Sequence, residues 1–270
     1  MDLTNKVIVV TGACGLLGKE HVKAIASHGG IPILIDLDQD VIDIFSNEIN
    51  KKYNVNSTGY KVDITNEIFV KKNVVEITNK YGKIDGLVNN AANNPKIEQK
   101  ENKNFSRLEN FSIDNWENDL SVGLKGAFIC TKYYGYQISK NKSGGSIVNI
   151  SSDLGLIAPN QELYKIKGLK EEMQPVKPVT YSVVKTGLIG LTRYVSTYWA
   201  NKNVRCNAIC PGGVENNQDP KFVKKLIKKI PLNRMARRNE YRDLLVLLLS
   251  NSSSYINGSV ISADGGRTAW

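Results

Sequence analysis

Seven short segments with the character of buried strands recur along the 270-residue chain, and every interval between them is long enough to hold a helix. They are KVIVVTG (6–12), IPILID (31–36), TGYKVDIT (58–65), IDGLVNNAA (84–92), GSIVNISS (145–152), NVRCNAICPGG (203–213) and SVISADGG (259–266). Short apolar runs rich in β-branched residues are what strands covered on both faces look like. The intervals supply helices up to about Ser27, over 38–52, over 66–81 with Asn66 as N-cap, over 112–139 and over 181–200. Strand, helix, strand connections imply right-handed crossovers. The pattern therefore predicts an α/β fold, a doubly wound parallel seven-stranded sheet with helices on both faces. There is no internal repeat and no low-complexity linker, so residues 1–270 read as one domain.

Several function classes are disfavoured by composition. The longest obvious apolar run, Leu244 to Leu249, is far short of the roughly 20 residues a membrane span needs. The opening MDLTNKVIVVTG has an acidic residue at once and no cleavage pattern, so a cytoplasmic location is expected. Cys14, Cys130, Cys206 and Cys210 form no C-x-x-C pair. Cys206 and Cys210 share one strand, about 13 Å apart, which is too far to bridge, and free thiols are expected. His21 and His28 are the only histidines, so neither a Ser-His-Asp triad nor a histidine-rich metal site is expected.

The formal charge of +10 comes mostly from lysine, accompanied by abundant Asn and Ile, the trio that A/T-rich codons favour. Lys224, Lys225, Lys228 and Lys229 read as the solvated face of a helix whose Phe222, Val223, Leu226, Ile227 and Ile230 turn inward. No nucleic-acid or membrane partner is expected. An anionic metabolite fits the charge better.

TGACGLLG (11–18) lies between the first strand and the first helix, with Gly12, Gly15 and Gly18 spaced by two residues. Glycines let a backbone approach a pyrophosphate, and a helix N-terminus supplies N–H donors and positive dipole. The second strand ends at Asp36, placed to accept hydrogen bonds from an adenosine ribose and to repel a 2′-phosphate. No Arg or Lys stands between Ala13 and Leu17 to offset that repulsion, so NAD(H) is expected over NADP(H). The competing reading has Asp36 merely opening a turn with Asp38 and Asp40.

VTYSVVKTG (179–187) places Tyr181 and Lys185 four residues apart, on one face of a helix. A phenol beside an ammonium can be an acid–base pair or an ordinary surface couple. Position along the chain separates the two readings. TGACGLLG, the DI pair at 63–64, NNAA (89–92), IVNISS (147–152), YSVVK (181–185), NVRCNAICPGG and YINGSVISADGG (255–266) occur in an order that resembles the short-chain dehydrogenase/reductase family across nearly the whole chain.

That resemblance implies a Rossmann-type fold and an NAD(H)-dependent oxidoreductase. It implies that Tyr181 exchanges a proton with the substrate oxygen and that Lys185 lowers the tyrosine's pKa and holds the nicotinamide ribose. Ser152, rather than its rival Ser151, would orient the substrate oxygen. Around the cofactor it implies Gly12, Gly15, Leu16, Leu17 and Gly18 at the phosphates, Asp36 at the ribose, and Asp63 and Ile64 at the adenine. Asn90, Ala91 and Ala92 would follow the fourth strand, and Pro211, Gly212 and Val214 would border the nicotinamide. A homodimer or homotetramer through the two long helices is implied as well.

Four departures from the family pattern stand out. The middle glycine comes one residue early, with Leu16 where the family usually has it. Gly123 stands where an asparagine usually organises a water on the proton path, and Asn216 stands where a threonine usually meets the carboxamide. Ser152 and Tyr181 are 29 positions apart, about twice the family's interval. The extra residues, about 154–178, carry Tyr164, Lys165, Lys167, Lys170 and Lys177, with Pro159, Pro175 and Pro178 as stiff points. They read as a lid or wall for a polar, anionic substrate, or else as an inert insertion or subunit contact. VGLKGAF, the insertion and PGGVENNQDPKFV (211–223) resemble flagellin-modification and surface-glycan oxidoreductases. This implies a hydroxyl/ketone step on an activated sugar or sialic-acid-like nonulosonate. The alternatives are a simple alcohol, fatty-acyl or steroid-like substrate, which calls for an apolar pocket wall, and a catalytically weak NAD-binding scaffold.

Overall fold

The computed structural model describes residues 1–93, 99–100 and 103–270. Its elements are β1 (Val7–Thr11), α1 (Gly18–Ser27), β2 (Ile31–Asp36), α2 (Gln39–Tyr53), β3 (Thr58–Lys61), α3 (Glu67–Tyr81) and β4 (Gly86–Asn89). A short antiparallel pair follows, β5 (Gln99–Lys100) with β6 (Lys103–Asn104), then α4 (Ile113–Leu120), α5 (Gly126–Cys130) and α6 (Tyr136–Ile138). The chain continues through β7 (Gly145–Ile150), α7 (Val179–Tyr198), β8 (Val204–Pro211), α8 (Pro220–Ile227), α9 (Arg242–Leu249) and β9 (Val260–Ala263). Seven strands form one parallel sheet in the order β3-β2-β1-β4-β7-β8-β9.

Period-two alternation builds the two faces. Val7 and Val9 of β1, with Ile33 and Ile35 of β2, turn to one side, where α3, α5 and α7 contribute Ile77, Ile129 and Val195. Ile8, Val10 and Leu34 turn to the other side, against Val22 and Ile25 of α1, Phe45 of α2 and Leu245 and Leu248 of α9. Fully burying each such side chain contributes roughly 1.5–3 kcal/mol, so both layers hold the sheet.

Strand order reverses between β1 and β4, and their C-terminal ends diverge into a crevice there. Thr11 ties the two edges together. Its hydroxyl accepts from the backbone N–H groups of Asn90 and Ala91, both at 3.1 Å. Asn90 donates its side-chain amide back to the carbonyls of Thr11 and Gly12, at 2.9 and 3.0 Å.

Asn66 caps α3 as the sequence predicts, accepting from Ile68 and Phe69, and Asp38 caps α2 in the same manner. Two expectations needed correction. The helix predicted over 112–139 is punctuated by two π-turns, Ser121–Lys125 and Thr131–Gly135, the first of which puts Val122 on the crevice wall. The strands are shorter than their predicted segments because the ends, 90–92 and 151–152 among them, already belong to loops. The apolar run at 244–249, too short for a span, lies in α9.

Candidate active site

The crevice opens into a cleft of about 780 Å³, floored by the C-terminal ends of β1, β2, β4, β7 and β8. At one end lies the glycine turn. Gly12 has φ +60°, and a Cβ there would stand 2.9 Å from the Cα of Ala91. Helix α1 then opens with no side-chain cap, its Lys19 N–H donating to the Gly15 carbonyl at 3.1 Å, and its positive dipole end faces the turn. Gly12, Gly15, Leu16 and Leu17 line the cleft.

Gly18 does not line it. A Cβ at Gly18 would lie 2.0 Å from the Gly12 carbonyl oxygen, so this glycine lets α1 pack onto the turn.

Asp36 lies on the cleft wall with its carboxylate pinned. One oxygen accepts from the Cys14 N–H at 2.8 Å and the other from the Leu37 N–H at 2.9 Å. Asp36 therefore does more than open a turn; it clamps the glycine loop from the neighbouring strand. Asp63 and Ile64 line the cleft too. The Asp63 carboxylate accepts from Thr65 N–H and Oγ1, so it shapes its own turn and leaves Ile64 as apolar surface. Asn90, Ala91, Ala92, Pro211, Gly212 and Val214 complete this half as the sequence predicts, and Asn216 joins them, its side chain accepting from Arg238 at 3.0 Å. Glycines without room for a Cβ, an uncapped helix start and a carboxylate at the end of β2 form a cradle that fits a nicotinamide dinucleotide.

Beyond this half, Ser152, Tyr181 and Lys185 come together. Ser152 leaves the end of β7, while the other two stand one turn apart on α7. The Ser151 hydroxyl is occupied, donating to the Lys185 carbonyl at 2.7 Å, whereas Ser152 faces Tyr181. Burial pushes the Tyr181 phenol up, and the Ser152 hydroxyl beside it opposes that rise. Lys185 is buried and donates its ammonium to the Ile150 carbonyl at 2.8 Å. Its pKa is depressed to about 8, first by burial and then by the charge of Lys177.

A buried ion pair beside the serine was invisible to sequence reasoning. The Ser152 hydroxyl donates to Asp153 Oδ1 at 2.8 Å. Arg267, 114 residues away, donates to Asp153 Oδ2 at 2.5 Å, and both side chains are buried. Buried charges persist only when paired, so this couple fixes the carboxylate against the serine. The adjacency of Asp153 to Ser152 was the only sequence signal available.

Residues 154–178 form a wall held on both sides. Inside it, Gln174 donates to the Ile166 and Leu169 carbonyls and accepts from the Ile166 N–H. On one flank Val176 N–H donates to Ser106, Asn104 to the Met173 carbonyl and Arg107 to the Glu171 carbonyl. On the other, Lys225 donates to the Lys165 carbonyl at 2.7 Å, Tyr164 packs on Phe222 with ring centroids 5.5 Å apart, and Leu163 clusters with Leu226, Ile230 and Met235. Of the four lysines, Lys165, Lys167 and Lys170 are exposed, and only Lys177 reaches the cleft.

Behind Tyr181 and Lys185 lies a second cavity of about 120 Å³, bordered by Asn93, Asp119, Gly123 and Thr180. A Cβ on Gly123 would meet Val184 Cγ1 at 2.5 Å, so Val184 takes the room an asparagine side chain would need. At its edge Thr180 donates to Asp119 at 2.5 Å and Asn93 donates to it at 2.9 Å. Among the described residues no cluster of His, Cys, Asp or Glu is arranged to hold a metal ion, and no helix is long and apolar enough to cross a membrane.

Known proteins agree with this architecture. A family model described as Enoyl-(Acyl carrier protein) reductase matches residues 12–268. The chain is 29% identical to post-translational flagellin modification protein A of Campylobacter coli over 265 residues, covering 98% of each chain. It is 31% identical to the 3-oxoacyl-[acyl-carrier-protein] reductase FabG of Aquifex aeolicus over 270 residues, again covering 98% of each. Among solved structures, an NAD+-bound xylitol dehydrogenase superposes with a TM-score of 0.83 at 25% identity, over 98% of this chain and 100% of the other. Motif order, sheet topology and these likenesses together place the chain in the short-chain dehydrogenase/reductase family.

Proposed function

We propose that the protein is an NAD(H)-dependent oxidoreductase that interconverts a hydroxyl and a ketone on an activated sugar or sialic-acid-like nonulosonate. One observation carries the chemistry: Tyr181, Ser152 and Lys185 converge on the same cleft whose other end is the glycine turn and Asp36. A bound nicotinamide would accept or supply the hydride. Tyr181 would take the proton from a substrate hydroxyl, or return it to a ketone oxygen. Ser152, whose hydroxyl rests on Asp153, would turn its proton to the substrate oxygen and so hold that oxygen beside Tyr181. The Lys185 charge favours the phenolate through space.

Asp36 supports NAD(H) over NADP(H), since its fixed carboxylate would face a 2′-phosphate. The sugar assignment is supported by the likeness to the flagellin modification protein and by the cation Lys177 on the substrate side. Assembly through the long helices is supported by exposed Tyr194 and Tyr198 on α7, which stack with centroids 5.6 Å apart. A single catalytic domain in the cytoplasm is the matching placement.

A second reading has a specific observation behind it. Leu154, Leu163, Phe222, Leu226 and Met235 give the substrate side more apolar lining than the insertion's composition implies. Together with the likeness to FabG, this supports an acyl or simple alcohol substrate. The deciding experiment incubates the protein with NAD+ or NADP+ and a panel of nucleotide sugars, nonulosonates, 3-hydroxyacyl thioesters and small diols. Nicotinamide absorbance is read together with product analysis, because an epimerase would recycle its cofactor. Turnover confined to the thioesters or diols would reject the sugar assignment.

A further inference from the structure

Lys177 Nζ stands 3.7 Å from the centroid of the Tyr181 ring. It borders both the main cleft and the smaller cavity. Its backbone N–H is engaged, donating to Gln161 at 2.9 Å, but among the described residues its ammonium has neither a hydrogen-bond acceptor nor a carboxylate within ion-pair distance. The nearby negative charge, Asp153, is already held by Arg267 at 2.5 Å and by Ser152 at 2.8 Å. Asp153 is thus occupied, and among the described residues the Lys177 charge is left without a carboxylate at the substrate end of the cleft.

The other lysines of the wall are placed differently. Lys165 pairs with Glu162 at 2.9 Å, and Lys167 and Lys170 are exposed to solvent. Tyr164 adds a second donor. Its ring is packed on Phe222, it borders the same two cavities as Lys177, and among the described residues its hydroxyl has no hydrogen-bond partner. A half-buried ammonium is costly to desolvate unless something completes it, and a charge-assisted bond to an oxyanion does so.

We propose that Lys177, with the Tyr164 hydroxyl as second donor, is the receptor for a carboxylate or phosphate group that the substrate carries close to its reacting carbon. The cation lies over the face of the acid/base tyrosine, so the anion it binds sits beside the reacting centre and not at the far end of a long substrate. The inference rests on the reading of Tyr181 given above and deepens it. It makes the wall a selectivity element that demands charge.

The test uses the protein loaded with NADH and two pairs of probes, N-acetylneuraminate with its methyl ester, and glycerol 3-phosphate with glycerol. Dissociation constants are read from NADH fluorescence. In the wild type the charged member of at least one pair should bind about tenfold or more tightly than its neutral twin. Lys177→Gln should bring the twins within about twofold, Lys177→Arg should keep the preference, and NADH affinity should be unchanged in both, which establishes that they fold. The proposal is overturned if the preference survives in Lys177→Gln, or if the wild type prefers neither charged probe. If neuraminate and its ester bind equally well and glycerol 3-phosphate is not preferred over glycerol, the sugar reading stands and the anion receptor falls. If only glycerol 3-phosphate is discriminated and neither neuraminate binds, the receptor stands and the sugar reading falls.

Discussion

The ammonium of Lys185 is hydrogen-bonded to the carbonyl of Ile150, the last residue of β7, at 2.8 Å. Helix α7 is thereby pinned to the strand that delivers Ser152, and the ammonium stays 5.9 Å from the centroid of the Tyr181 ring. Its hydrogen bond goes to the scaffold and not to the phenol. A charge held this deep has a stability cost that can be measured.

Burial depresses the Lys185 pKa from 10.5 to about 8. Between those values the unfolded chain binds the extra proton, so this group's contribution to stability rises with pH across that window, and its full penalty is present below pH 8. The gap corresponds to about 3 kcal/mol. Lys185→Met should lose turnover yet gain about 1–2 kcal/mol at pH 7, the remainder being offset by the donor Ile150 loses. The gain should shrink toward pH 10. Urea denaturation at both pH values checks this, and a less stable variant at pH 7 would count against it.

Tyr181→Phe removes the proton carrier and leaves the ring in place. Turnover should fall by about 10²–10⁴-fold, the usual share of general acid–base catalysis. NADH affinity should stay within about twofold, because the glycine turn and Asp36 are at the other end of the cleft. Stopped-flow turnover with a fluorescence titration separates the two effects.

Asp36→Asn keeps an acceptor for the Cys14 N–H and discards the charge. The preference for NAD+ over NADP+ in kcat/KM should fall by about tenfold or more, roughly the effect of one close charge pair. An unchanged ratio would remove Asp36 from cofactor selection.

A methyl group on Gly123 must displace Val184. Gly123→Ala should destabilise by about 1–2 kcal/mol through overpacking. In a Val184→Ala background the same change should be neutral or stabilising, since alanine favours helix over glycine by about 1 kcal/mol. Thermal unfolding of the four proteins in this cycle gives the coupling directly.

Arg267→Met strands the Asp153 carboxylate in the interior and should cost about 3–5 kcal/mol. Adding Asp153→Asn should recover part of that loss. Additive losses in denaturation would show that the two side chains are not coupled.

Local relationships were legible in the sequence. Tyr181 and Lys185 share a helical face because of their spacing, Asp36 ends its strand, and Asn66 caps its helix, each by rules that act within a few residues. What needed the fold were relationships across long separations. Nothing in the insertion's composition distinguishes Lys177 from Lys165, Lys167 or Lys170; its place depends on where the wall meets α7. Arg267 finds Asp153 only after β9 joins the sheet. Gly18 has the spacing of a phosphate contact, yet its absent Cβ makes room for the Gly12 carbonyl. The π-turns in the 113–138 helical run left no periodicity signal, and the structure offers no single residue that accounts for them.

The wall between Ser152 and Tyr181 begins after one fixed element and ends at another, the tip of β7 and the start of α7 at Pro178. Its fastenings run sideways, to Ser106 and Arg107 on one flank and to Phe222 and Lys225 on the other. Under the proposed function, proton handling and substrate recognition lie on separate stretches of chain, so about two dozen residues could be rewritten for another substrate with Ser152, Tyr181 and Lys185 left in place.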